Sequence, residues 1–141
     1  MSDGVIVMLK QLSYDKGTAE AVEWMLHRII KSAEVDSGAN GGNGCLRLFF
    51  DDGVVELMDG GQTCCEARYM KCDDDLSQFV GAEVVSVEKR EGPDEKNEYG
   101  DEHETCFLHV NTSRGTIVAC CHNEHNGYYG GFALEATLVP Q

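Results

Sequence analysis

The chain of 141 residues is poor in several things at once. It has two prolines and one tryptophan. No apolar run approaches the roughly 18 residues that mark a membrane-spanning helix, and a helical span is excluded. Basic residues are scarce: 11 Lys and Arg stand against 25 Asp and Glu, for a net charge of −14. Phosphate backbones are held by basic faces, so this balance disfavours direct binding of nucleic acid. Sustained heptads, a Gly-X-Y period and internal repeats are all missing, which excludes coiled-coil, collagen-like and solenoid architectures. What is present is ordinary for a globular chain, with 42% hydrophobic and 26% charged residues. The length suits one domain with a real core.

The N-terminus, Met1 to Lys10, has a short apolar run with Asp3 before it. A secretory signal has basic charge ahead of a longer run, so a cytosolic protein is expected. Seven cysteines are an odd number, and in that compartment they are expected as reduced thiols. Cys45, Cys72, Cys106, Cys120 and Cys121 lie in or beside strand-like segments, where a thiol usually serves as a small buried hydrophobe.

Residues 18–34 place Val22, Met25, Leu26, Ile29, Ile30 and Ala33 at helical spacing, which predicts one long amphipathic helix with Thr18 as N-cap. Its apolar face, with Trp24 at the edge, needs cover, from the chain's own sheet or alternatively from a second copy in a homodimer. Val5–Leu9 reads as a short strand. The stretch from Asp36 to Gly44 is rich in glycine and asparagine and reads as a linker. The chain thus divides into an N-terminal arm, 1–44, and a β-rich core domain, 45–141. In the latter, Cys45–Phe50 and Val54–Met58 flank Asp51-Asp52-Gly53, a hairpin signal. Further strands are expected at Thr63–Cys72, Glu83–Arg90 (with Val85 and Val87 on one face), Thr105–Thr112, Thr116–Cys121 and Phe132–Leu138. A short helix, capped by acids and ended by Gly81, is expected at 73–81. The fold class expected is α+β: a mostly antiparallel twisted sheet or small open barrel of about six strands, with one long N-terminal helix and one short helix.

Residues 91–104, EGPDEKNEYGDEHE, hold seven acids and one lysine. The plain reading is a solvated hairpin loop. The sharper reading is a surface for a partner, formed by Asp94, Glu95, Glu98, Asp101 and Glu102, since an acidic protrusion complements a basic groove. Asp51, Asp52, Asp59 and Asp73 to Asp75 would add to that field if they lie on the same side.

Two clusters carry candidate chemistry: Cys64-Cys65-Glu66, and Cys120-Cys121-His122-Asn123-Glu124-His125 followed by Asn126-Gly127-Tyr128-Tyr129-Gly130-Gly131. Strand alternation puts Cys120, His122 and Glu124 on one face, and if Ile117, Ala119 and Cys121 face the core, Cys120 and His122 face away from it. Zinc takes thiolate and imidazole ligands in a tetrahedron, which makes Cys64, Cys120, His122 and His125 a candidate set, although no paired-ligand spacing is present. A small ligand is the other use, with Cys64, Glu66, His122, Asn126, Tyr128 and Tyr129 lining a polar pocket. A Cys–His nucleophile is a third reading, without the flanking pattern of a known cysteine enzyme. Core cysteines beside a turn held by its own hydrogen bonds are the plain alternative to all three.

Taken in order, Phe50-Asp51-Asp52-Gly53, Cys64-Cys65-Glu66, Val80-Gly81 and the run from His122 to Gly131 resemble a small domain of bacteriophage and prophage genomes, a family of unknown function. The resemblance covers about residues 45–135. It implies a phage-encoded, compact, β-rich domain working in the host cytosol, and it brings no catalytic residues. The function expected is therefore that of a non-enzymatic accessory protein binding a host or phage macromolecule, in one version as an acidic inhibitor of a nucleic-acid-binding defence system. The alternatives are a small-ligand or zinc-binding module and a Cys–His enzyme.

Overall fold

The computed structural model describes residues 16–38, 43–60, 66–126 and 131–140. More than half of them lie in nine strands, so the fold is mostly β rather than α+β, and the strands form two antiparallel sheets rather than one sheet or a small barrel. The first sheet has the order β1-β2-β3-β9, from Ser32–Asp36, Cys45–Phe49, Gly53–Asp59 and Leu134–Pro140. The second has the order β4-β8-β7-β5, from Glu66–Cys72, Gly115–His125, Glu102–Thr112 and Val84–Glu91, with the short β6, Glu95–Lys96, also paired to β7.

Alternation makes one core from both sheets. Leu46, Leu48, Val55, Leu57 and Ala136 of the first sheet join Met70, Cys106, Leu108, Val110, Ile117, Ala119 and Cys121 of the second in a single buried cluster. The other face of the first sheet is ionic. Across it, Arg47 lies in register between Glu34 and Glu56, and its Nε donates to Glu56 at 2.8 Å.

The long helix expected over 18–34 is not formed. Helix α1 spans Lys16–Met25 and ends before His27, whose φ is +69°. The following residues bond outward instead of back along a helix. His27 N–H donates to the Val84 carbonyl, Ile30 N–H to Ala82 and Lys31 N–H to Phe49. Ser32–Asp36 then pairs with β2 from Ser32↔Phe49 to Asp36↔Cys45. Ile29, Ile30 and Ala33 continued the helical spacing by coincidence; their β-branched and alternating neighbours satisfy a strand equally well, and cross-strand pairing decides. The glycine-rich stretch read as a linker therefore connects two paired strands. Residues from both sides of it share the core, Ala21, Val22, Met25 and Ile30 among them.

Thr18 lies inside α1 rather than capping it. Its hydroxyl accepts from Ala136 N–H at 3.2 Å, so the helix covers the open edge of β9. Trp24 at the helix end packs edge-on to Phe50, with ring centroids 5.4 Å apart. Apolar contact within the chain thus covers the helix face.

The two sheets approach closely where β1 meets β4. Met70 N–H donates to the Ser37 carbonyl at 3.2 Å. Gly44, at φ +93°, sits there because a Cβ would lie 2.6 Å from Met70 Cβ. Between β4 and β5, a 3-10 helix at Leu76–Phe79 replaces the short helix expected, and Asp75 caps it by accepting from Ser77 N–H. In β5 a bulge between Val84 and Ser86 breaks simple alternation, so Val84 and Val87 are buried while Val85 is 50% exposed. The pairing of Val85 with Val87 on one face does not hold.

Candidate functional site

Glu66, the described residue of the first cluster, pairs with the second. Strand β4 follows Cys64-Cys65 directly and pairs with β8 from Glu66↔His125 through Arg68↔Asn123 to Tyr69↔His122. Cys64, Cys65, Tyr128 and Tyr129 lie outside the described residues, as does Val5–Leu9. Asn126 stands exposed immediately after β8.

Alternation gives β8 two chemistries. Inward, at the end nearest Asn126, the core turns polar. Asp59 and Arg68 form a buried ion pair between the sheets, with Arg68 Nη1 2.7 Å from Asp59 Oδ2. Arg68 also donates to the Gly131 carbonyl at 2.9 Å, and Asp59 Oδ1 accepts from Ala133 N–H at 3.0 Å. Beside them, His125 Nε2 lies 2.7 Å from Glu104 Oε1, and that oxygen accepts from Gly131 N–H. Asn123 is fully buried in the same group. These bonds tie β3, β4, β7, β8 and the approach to β9 together. A buried charge is tolerable in this setting because each partner is paired and further hydrogen-bonded.

Outward, the same strand carries Cys120, His122 and Glu124. The Tyr69 ring stacks on His122 at 4.5 Å between centroids and 7° between planes, and its hydroxyl donates to Glu124 at 2.6 Å. Burial and that carboxylate push the Tyr69 hydroxyl up to about 12. His103, on β7, points its Nε2 at His122 Nδ1 at 2.9 Å. Burial, with His103 and Lys71 nearby, holds the His122 imidazole below its ordinary range. His109 and Phe107 continue this face along β7, edge to face.

His122 and His125 thus face opposite sides of the sheet and cannot share an ion with Cys120. Among the described residues, no group of three or more His, Cys, Asp and Glu side chains is poised to hold a metal. The described thiols are free and suit packing rather than nucleophilic attack. Burial pushes Cys45 up to about 11 and raises Cys72 and Cys120. Cys121 is raised by its hydrogen bond with Cys106 and by burial. An activated thiol needs the opposite shift.

The acidic segment forms an ordered hairpin. Glu95 pairs with His103 and Lys96 with Glu102. At the turn, Asn97 Oδ1 accepts from both Tyr99 N–H and Asp101 N–H, at 2.9 and 3.0 Å. Glu98 and Asp94 are exposed, and Tyr99 projects from the tip with 82% exposure. Glu95, Asp101, Glu102, His103 and Glu124 line a hollow of about 300 Å³ beside the hairpin, with Lys96 its one cation. Four of the other acids are engaged elsewhere. Asp52 pairs with Arg28, Asp51 with Lys31, Asp74 accepts from Val118 N–H, and Asp59 is buried.

Sequence reasoning singled out none of Tyr69, His103, Arg68 and Glu104, and named Asp59 only as part of the acidic field. Each becomes functional or structural through strand register, which no local pattern specifies. The one available signal was alternation along 102–106, which puts His103 and Thr105 on the face opposite Glu104 and Cys106.

The fold and these sites define a class: a two-sheet antiparallel β protein with a polar, motif-bearing end and an acidic hairpin. The chain belongs to the family of the domain of unknown function DUF7448, which matches residues 23–134. The match begins within α1, so the family extends further towards the N-terminus than the resemblance over 45–135. No curated protein and no solved structure matches the chain. Among the described residues, no helix is long and apolar enough to cross a membrane.

Proposed function

We propose that this protein is a non-enzymatic binding protein that docks its acidic hairpin on a basic groove of a protein partner. The observation that carries the reading is the hairpin itself. Asn97 holds its turn, five carboxylates flank it, and Tyr99 is displayed at the tip. A pre-ordered tip lowers the entropic cost of docking. A projecting tyrosine is a typical anchor, and the surrounding charge steers encounter with a basic surface. Under the phage resemblance, the partner is a nucleic-acid-binding protein of the host, whose groove the hairpin occupies. The raised thiols are consistent with a role without covalent chemistry.

The test starts from gentle purification under reducing conditions and native mass spectrometry of the intact assembly. An added protein chain is expected, held more weakly as salt rises towards about 0.5 M. Tyr99→Ala and the triple change Glu95→Gln, Glu98→Gln, Asp101→Asn should each release it. A complex indifferent to both salt and these changes sinks the proposal. A second reading, a small-ligand module, is favoured by the β4–β8 register that sets Glu66 opposite His125. A mass increment of a few hundred daltons in the same spectrum would select it instead.

A further inference from the structure

We propose that His103 and His122 form a two-histidine site for a borderline divalent transition-metal ion on the outer face of the second sheet. The two residues are diagonal neighbours across β7 and β8, since His103 pairs with Glu124 and His122 with Thr105. Diagonal positions on one face lie within reach of long or aromatic side chains. Here they bring His103 Nε2 and His122 Nδ1 to 2.9 Å. Two imidazole nitrogens bound at about 2.1 Å and at a right angle on one ion lie about 3.0 Å apart. The spacing set by the strands is therefore that of adjacent ligands on a six-coordinate ion, reached when the rings turn so that both lone pairs converge beside the line between the nitrogens instead of sharing a proton along it.

Three neighbours suit the same use. Tyr69 stacks flat on His122 and fixes the orientation of that ring. Glu124, two residues along the same face, is held by the Tyr69 hydroxyl and puts negative charge near the pair without completing a three-ligand set. The adjoining hollow, lined by Glu95, Asp101, Glu102 and Glu124 against the single Lys96, concentrates cations beside the pair. With two imidazoles as its protein ligands, the ion keeps its remaining positions for water. The site is open and exchangeable rather than structural, and it is distinct from the buried His125–Glu104 contact on the other face.

The deciding experiment is calorimetric titration of Ni²⁺ into the tag-free full chain, with thiols kept reduced. One ion per chain is expected, bound more tightly than Co²⁺, as nitrogen ligands dictate. His103→Gln and His122→Gln should each weaken binding by more than about tenfold. His109→Gln, on the same face but outside the pair, and Cys120→Ser, two residues from His122, should leave it unchanged. Circular dichroism of each variant shows whether the fold is kept. Absent uptake, uptake in either glutamine variant equal to that of the unaltered chain, or loss caused by Cys120→Ser would each overturn the proposal.

Discussion

The two faces of β8 are one residue apart in sequence and differ in nearly everything else. Cys121, Asn123 and His125 point into the core, where His125 lies against Glu104 and the Asn123 side-chain amide donates to the Gly131 carbonyl. Cys120, His122 and Glu124 point outward, where Tyr69 and His103 gather around them. The residue types are nearly the same: a thiol, an imidazole, and an amide or carboxylate. Burial and register assign the inner set to holding sheets together and leave the outer set available for ligands.

The largest expected effect breaks the inner face. Arg68→Ala leaves Asp59 buried without its cation, and the cost should be about 3–5 kcal/mol in urea unfolding. Arg47→Ala, which removes an arginine between Glu34 and Glu56 on the outer face of the first sheet, should cost about 1 kcal/mol or less. Equal losses would mean that the inner pair is wetter than its burial indicates.

Next come the adjacent thiols. Cys121→Ser puts a hydroxyl against Cys106 and Met70 in an apolar setting and should cost about 1–3 kcal/mol. Cys120→Ser should stay within about 0.5 kcal/mol. Alkylation sharpens the contrast. Both thiols should react more slowly than free cysteine at neutral pH, and Cys121 should react only as fast as the protein unfolds, because both are raised in the folded state. Rapid labelling of Cys121 in the folded protein would contradict its place in the core.

Much of this contrast was legible in the sequence, and its limits are physical. Alternation along 117–122 separates inward Ile117, Ala119 and Cys121 from outward Cys120 and His122, and the structure has them so. The hairpin at Asp51-Asp52-Gly53 is local turn chemistry, and it forms. The failures are non-local. Residues 29–36 satisfied helical and strand spacing equally, and only their pairing with 45–49 and 81–84 resolves the choice. One sheet could not be told from two, because strand order is a tertiary fact. Likewise, His103 and Tyr69 reach His122 from strands 19 and 53 residues away in sequence. The acidic segment was legible as a charge run, but the Asn97 bonds that order its turn were not.

A smaller effect tests the outer cluster. Tyr69→Phe removes the hydroxyl bound to Glu124 and keeps the ring on His122, so it should cost about 1 kcal/mol. Tyr69→Ala loses the stacking too and should cost more. If the two variants are equally unstable, the ring contributes nothing and His122 is not held by it.

The smallest effect is a titration on the same face, away from the histidine pair. Burial is the main cause holding the His109 imidazole below its ordinary range, Arg90 adds to it, and Glu88 opposes them. NMR should therefore give a midpoint below about 6.5. Arg90→Gln should raise that midpoint, and Glu88→Gln should lower it further. The sign for stability follows from proton counting. The unfolded chain binds a proton to His109 more readily than the folded one, so the contribution is fully present above the unfolded value. It is lost as pH falls through about 6.5 towards the folded midpoint. A His109 midpoint at or above the free value would show the outer face to be solvated like open surface, and the contrast between the two faces would then be one of position alone.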